Sequence, residues 1–272
     1  MQNFVQPDPI DTLRWYAEMG VDLCVEPEPQ HLKAEVITLY QSPPPAAAAE
    51  KKSTEPARAA PAKVEAPASL SAAVADARAL ADRATTLAEL EAAVRGFGGC
   101  SLKKTATNTV FAQGVSESRL MFIGEAPGAE EDRNGVPFCG ASGQLLDLML
   151  SHISLTRAEN FYITNTLFWR PPGNRQPTQE ELDICRPFVE KHIALVNPKI
   201  LVLVGGTATK SVLGDSRGIT RLRGQVFRYK NDYMTADVPV HVIYHPSYLL
   251  RQPLAKKQCW ADLLALKLAL SA

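Results

Sequence analysis

No two of the five cysteines, at positions 24, 100, 139, 185 and 259, form a CxxC pair. An odd count without regular spacing argues against a disulfide framework and for free thiols in a reducing compartment. No apolar run approaches the ~20 residues of a membrane-spanning helix. The opening residues Met1-Gln2-Asn3-Phe4-Val5 carry neither a basic start nor an apolar stretch, so no secretory leader is expected. Net charge is missing too: 29 Lys plus Arg balance 29 Asp plus Glu, and the whole-chain figure says nothing about partners. The phosphate-cradling patterns GxGxxG and GxxxxGK are absent, which disfavours a nucleotide-binding α/β protein. What remains is a cytoplasmic, monomeric protein by expectation, whose 272 residues suffice for one large domain or two small ones.

Charge is unevenly spread. From Cys100 onwards there are 20 Lys plus Arg against 15 Asp plus Glu, and between Arg217 and Lys230 five basic residues occur with no carboxylate. Such a run suits phosphate contact, or is simply a solvated face. Residues 8–20 carry Leu13, Trp15, Tyr16 and Met19 near helical spacing, with Asp11 as a cap and Gly20 as a stop. Residues 1–41 are therefore expected to hold a short helical element that contacts its own domain or another protein. Residues 42–69 are rich in Ala and Pro, with almost no large apolar side chain. That composition cannot bury enough surface to offset its ordering entropy, so a disordered linker is expected there. Residues 70–272 form the main domain.

In that domain, alanines and leucines recur at helical spacing from Leu70 to Val94, and Thr86 with Glu89 makes a capping-box pattern able to restart the helix. Gly96, Gly98 and Gly99 end it. Beyond them, apolar runs alternate with helical patterns. Strands are predicted over Leu120–Ile123, Phe161–Thr164, Ile200–Val204, Val226–Tyr229 and Val240–Ile243. Helices are predicted over Ala141–Ser151, Gln179–Val196, Thr207–Leu213 and Lys257–Leu270. This alternation predicts an α/β fold with a central parallel sheet of about four strands covered by helices, and a site where the strands end in loops.

Three stretches sit at such ends. Gly124-Glu125-Ala126-Pro127-Gly128-Ala129-Glu130-Glu131-Asp132 is a tight acidic turn after a strand, followed by Gly135-Val136-Pro137-Phe138 and Gly140-Ala141-Ser142-Gly143. Asn165 closes the next strand. It is either a local turn former or an amide offering donor and acceptor side by side to the edge of a pyrimidine. His245-Pro246-Ser247 follows the last strand, as a plain loop or as part of a site.

Together these runs, with Arg170-Pro171-Pro172-Gly173-Asn174-Arg175 and His245-Pro246-Ser247-Tyr248-Leu249-Leu250-Arg251, resemble the uracil-DNA glycosylase superfamily, most of all its family 4. The resemblance covers roughly residues 97–265. It implies hydrolysis of the bond joining uracil to deoxyribose in DNA, on a base extruded from the stack, as the first step of base-excision repair. By that likeness Phe138 stacks on the base, Asn165 pairs with its edge and rejects cytosine, backbone amides near Ala126 hold it, and His245 hydrogen-bonds O2 of the departing anion. Other classes of the superfamily carry a water-activating Asp at the position of Ala126. This chain does not, and Glu131 is expected to position water or stabilise the sugar cation, with Glu125 ordering the turn. Glu130 and Asp132 are expected to be solvated. Tyr248, Leu249, Leu250 and Arg251 are expected to enter the minor groove as a wedge, and Arg170, Arg175, Arg221, Arg223, Lys256 and Lys257 to contact phosphates.

The chain departs from its family at one place. Family 4 holds a four-iron, four-sulfur cluster on four cysteines, and the matching positions here read Phe97, Cys100, Trp169 and Cys185. Phe and Trp cannot ligate iron. The expectation is no metal cofactor, two free thiols, and two aromatic rings filling the cluster's volume, with Cys139 and Cys24 as unfavourable substitute ligands. Two further readings stay open: a glycosylase for another deaminated base, and a catalytically silent DNA-binding module of the same fold.

Overall fold

A computed structural model describes Arg14, Trp15, Glu18 and residues 68–271, and statements of absence below concern these residues. The cap at Asp11, the stop at Gly20, Cys24 and the Ala/Pro segment lie outside them. The last two residues assigned to that segment, 68 and 69, already belong to the first helix.

The helices are α1 (Ala68–Arg83), α2 (Leu87–Gly96), α3 (Ala129–Asn134), α4 (Ala141–Ser151), α5 (Gln179–Val196), α6 (Gly206–Leu213), α7 (Ile219–Leu222), α8 (Pro246–Arg251) and α9 (Lys256–Leu270). The strands are β1 (Ala112–Gly114), β2 (Leu120–Gly124), β3 (Tyr162–Asn165), β4 (Ile200–Val204), β5 (Phe227–Tyr229) and β6 (Val238–Ile243). They form one sheet in the order β1-β3-β2-β4-β6-β5. The expected four parallel strands are its centre, β3-β2-β4-β6, and an antiparallel strand closes each edge. Edge strand β1 was missed because Ala112-Gln113-Gly114 has no apolar run and packs little of its surface.

Both central strands β2 and β4 are buried along their whole length, as a sheet covered on two faces requires. Alternate residues face opposite ways: Met121 and Ile123 join one apolar cluster with α1, α2 and α5, while Leu120 and Phe122 join another with α4 and α9. Trp15 belongs to the second cluster, its ring stacked on Trp260 at 4.9 Å, and Glu18 pairs with His152 at 2.5 Å.

The helix starts follow local chemistry. Thr178 accepts from Glu181 N while the Glu181 carboxylate accepts from Thr178 N, a reciprocal cap that starts α5. Thr86 accepts from Glu89 N and starts α2 as anticipated, but the Glu89 carboxylate turns to Thr85 instead of completing the box. The parallel centre has the consequence that matters for function. Glu125, Thr166, Gly205 and Tyr244 all follow strand ends at the same edge of the sheet.

Candidate active site

A cleft of about 440 Å³ opens at that edge, lined by residues from the turn after β2, the Phe138 loop, the end of β3, the turn after β4 and the start of α8. Gly124 and Asn165 are register partners across β2 and β3, so the acidic turn and the amide side chain enter together. The Phe138 ring covers Gly124 closely: a Cβ there would stand 2.3 Å from Phe138 Cζ and 2.5 Å from Asn165 Oδ1. Gly124 is thus the floor on which the ring and the amide converge.

Phe138 is held in a left-handed conformation, φ +53°. Arg157 donates to the carbonyls of Pro137 (2.6 Å) and Phe138 (2.8 Å) while pairing with Asp147 at 2.9 Å. Gly143 lets the first turn of α4 pass under the same carbonyl, since a Cβ there would meet it at 1.7 Å. The Phe138 ring and His245 stand 5.8 Å apart at 33°. Asn165 is almost fully buried, yet its Oδ1 has no hydrogen-bond partner among the described residues. An orphaned buried acceptor costs about 1–3 kcal/mol, which marks a position completed by something else.

His245 caps α8. Its Nδ1 accepts from Ser247 N at 3.1 Å and lies 2.8 Å from Ser247 Oγ. An accepting Nδ1 carries no proton in the neutral ring, so the proton sits on Nε2. Burial first, then the charge of Arg251, pushes His245 down to about 4, with the Glu131 carboxylate opposing them. The ring is neutral at physiological pH and offers an N–H.

Glu125 and Glu131 both line the cleft and differ in their partners. Glu131 accepts from Gly128 N at 3.0 Å and from Gly140 N at 2.9 Å, so it ties the acidic turn to the Phe138 loop. Glu125 lines the cleft, half-buried, and its carboxylate makes no hydrogen bond or ion pair with the described residues. Ala126 lines the cleft as expected. Glu130 is exposed and pairs with Arg133. Asp132 is not solvated: it is buried and accepts from Thr107 N (2.8 Å) and Asn108 N (3.1 Å), anchoring the loop before β1.

Several expected DNA contacts are corrected. Leu249 is fully buried in the core against α4 and α9, so it is no wedge; helical spacing puts its neighbours Tyr248 and Leu250 outward, and both are exposed. Arg175 lines the cleft but forms a two-pronged pair with the nearly buried Glu181, at 2.5 and 2.9 Å. Arg223 pairs with buried Asp262 and lies over the Tyr244 ring, bracing the residue before His245 instead of meeting solvent. Lys256 is buried. Arg170 donates to Asn174 at 2.7 Å, while Arg251 lines the cleft and Arg221 and Lys257 are exposed. The lining also includes Gly205, Gly206 and Thr207, which sequence reasoning passed over, although two glycines directly after a strand repeat the signal that marked Gly124.

The four positions where the family keeps its cysteines come together in one apolar cluster. Phe97 and Trp169 are buried, with ring centres 6.4 Å apart, and Phe97 meets Phe188 edge-on at 5.2 Å. Trp169 Nε1 donates to Thr109 Oγ1 at 3.0 Å. Cys100 and Cys185 are buried neighbours, and their interaction lowers the first thiol's pKa and, with burial, raises the second's well above its usual value. Two sulfurs and two packed rings do not fit a four-thiolate cluster, and among the described residues no three His, Cys, Asp or Glu side chains are grouped to hold a metal.

Residues 111–264 match the uracil DNA glycosylase superfamily. The chain is 38% identical to a Type-4 uracil-DNA glycosylase of Archaeoglobus fulgidus, over 60% of this chain and 82% of that protein. It is 37% identical to one of Sulfurisphaera tokodaii, over 58% and 73%, and 39% identical to one of Thermotoga maritima, over 58% and 80%. With the floor, the orphaned amide and the neutral histidine at the carboxyl edge of its sheet, the chain belongs to the uracil DNA glycosylase superfamily and is similar to its Type-4 members.

Proposed function

We propose that the cleft receives a uracil flipped out of DNA and that the chain hydrolyses its N-glycosidic bond, leaving an abasic site. The observation that carries this reading is the buried Oδ1 of Asn165, left without a partner beside the Phe138 ring. Uracil presents an N3–H and an adjacent O4. An Asn amide pairs with both at once, and cytosine, which has an acceptor at N3 and an amine at C4, mismatches both. Such mismatching of a buried amide discriminates by about 1–3 kcal/mol. The Phe138 face replaces the stacking lost on flipping.

In the reaction the C1′–N1 bond breaks and its electron pair leaves with the base. The negative charge gathers on O2, where the Nε2–H of a neutral His245 donates most strongly as the charge develops. A water oxygen then bonds to C1′ of the cationic sugar and loses a proton. Glu125, whose carboxylate is uncommitted, is the group we assign to that water. Glu131 also lines the cleft and contributes its charge, each of its oxygens accepting one backbone N–H, from Gly128 and Gly140. Tyr248 and Leu250 fill the gap in the duplex, and Arg251 meets the strand beside the cleft. No step passes through an iron–sulfur cluster. The stacked Phe97 and Trp169 rings supply the packing that holds the 97–105 loop to α5. No described helix is long and apolar enough to cross a membrane.

The test is release of uracil from a labelled oligonucleotide, read as alkali-dependent strand scission, with iron measured on the same sample. Scission that requires uracil, and that His245→Ala slows, supports the reading. Uracil-independent or absent scission overturns it. Scission of oligonucleotides carrying hypoxanthine or xanthine instead would assign the cleft to another deaminated base.

A further inference from the structure

A second cleft of about 400 Å³ lies beside the first and shares Gln176, Gly206 and Thr207 with it. Its walls are the segment leading into α5, helix α6 and the loop before α7. No carboxylate lines it. Lys210 stands on its wall, exposed, and its ammonium has no ion pair or hydrogen bond with the described residues. Thr207 and Lys210 are three residues apart and so share a face of α6, which carries that face from one cleft into the other. Ser216 adds a second hydroxyl to the lining.

Of the five cations in 217–230, Arg221 and Lys230 do not line this cleft, and the other three, Arg217 of its lining among them, are paired. Arg217 is held by Asp215 at 2.6 Å, Arg223 by Asp262 at 2.8 Å and Arg228 by Asp237 at 3.0 Å. The cation of this cleft that has no partner among the described residues is contributed by a different element, α6. A groove that offers donors and a free ammonium, holds no carboxylate, and opens directly into the cleft for the flipped base matches a ligand that only accepts hydrogen bonds and carries negative charge along a line.

We propose that this second cleft binds the phosphodiester backbone of the uracil-bearing strand on one side of the flipped nucleotide, with Lys210 as its cation and Thr207 and Ser216 as neutral donors. The proposal rests on the reading that the first cleft takes a flipped uracil. It extends the DNA contact beyond the loops that enclose the base and assigns it to residues outside the acidic turn and the His245 segment.

The experiment compares the parent with Lys210→Ala and Lys210→Glu on two substrates, a long single-stranded oligonucleotide with one central uracil and a trinucleotide with uracil in the middle. Lys210 is exposed, so both variants are expected to fold, which thermal unfolding checks. The expected result is a several-fold greater loss of kcat/KM on the long substrate than on the trinucleotide, larger for Glu than for Ala. The slope of log(kcat/KM) against log[salt] on the long substrate becomes shallower by about 0.7, one phosphate contact on a single strand. Equal losses on the two substrates, or a Lys210→Glu variant with the parent's salt slope, overturn the proposal. Should the parent release no uracil from either substrate, the catalytic reading fails by itself. Anisotropy titration of undamaged DNA with the same three proteins then decides the second cleft: weaker binding and a shallower slope support it, and unchanged binding overturns it.

Discussion

Replacing Gly124 with Ala inserts one methyl group at the floor of the cleft. Its Cβ would lie 2.3 Å from Phe138 Cζ, 2.6 Å from Phe138 Cε2 and 2.5 Å from Asn165 Oδ1. Carbon atoms rest near 3.5–4.0 Å, so the ring must withdraw by roughly 1 Å or more. The backbones that carry both neighbours are fixed, so the ring can yield only by turning into the cleft. The Phe138 backbone is already left-handed, its carbonyl is gripped by Arg157 and pressed on Gly143, and the loop behind it is tied by Glu131 to Gly128. Asn165 is fixed by strand pairing with Gly124 itself. Overpacking of this kind costs about 1–3 kcal/mol of stability. A displacement of 1 Å in a positioning group lowers a rate by about 100-fold. The assay is single-turnover uracil release, with urea unfolding to confirm that the variant is folded at the assay temperature. Gly98→Ala is the control, because a Cβ there meets nothing within 4 Å. A Gly124→Ala protein that is folded and releases uracil within about a factor of three of the parent refutes the claim that this glycine sets the spacing of ring and amide.

Because burial holds His245 near 4, well below the ordinary 6.5, acidification from pH 7 to about 5 leaves its Nε2–H neutral; uracil release should show no loss centred near 6.5, and a titration there in the single-turnover pH profile would contradict the tautomer argument. Phe97→Ala should cost about 3–5 kcal/mol in urea unfolding, and Trp169→Ala a similar amount including its bond to Thr109, with the double variant losing less than the sum because both rings share one cluster. Additive losses would mean the two rings do not act as a joint filling. Leu249→Ala should lower stability by about 2–5 kcal/mol, whereas Leu250→Ala should leave stability within about 0.5 kcal/mol and slow excision from duplex more than from single strands. Arg223→Met leaves Asp262 buried without its partner and should cost about 3–5 kcal/mol, read by the same unfolding assay.

Much of the molecule was legible before any coordinates. The continuous apolar runs at Leu120–Ile123 and Ile200–Val204 read as buried strands and are so, and helices α4 and α5 begin and end where the sequence pattern placed them. Phe138, Asn165 and His245 were located by motif and do meet at one cleft. The loss of two cluster cysteines was also plain, because no packing turns Phe97 or Trp169 into a ligand.

Other features depended on contacts between segments distant in the chain. Which acid is tied turned on the approach of Gly140 N to Glu131, nine residues apart, added to the local N-cap bond from Gly128. Asp132 looks like one more surface charge until the 107–108 loop folds over it. Basic residues separate into Arg223, neutralised by Asp262 39 residues on, and Lys210, left unpaired among the described residues beside the cleft. Local pattern therefore determined the elements, and the resemblance to the glycosylase superfamily supplied the candidate side chains and the two departures from its cysteines, since each depends on a residue's own chemistry and its near neighbours. Only the tertiary structure decided which charges are spent on the fold and which stay available to a substrate, because that turns on partners brought together by folding.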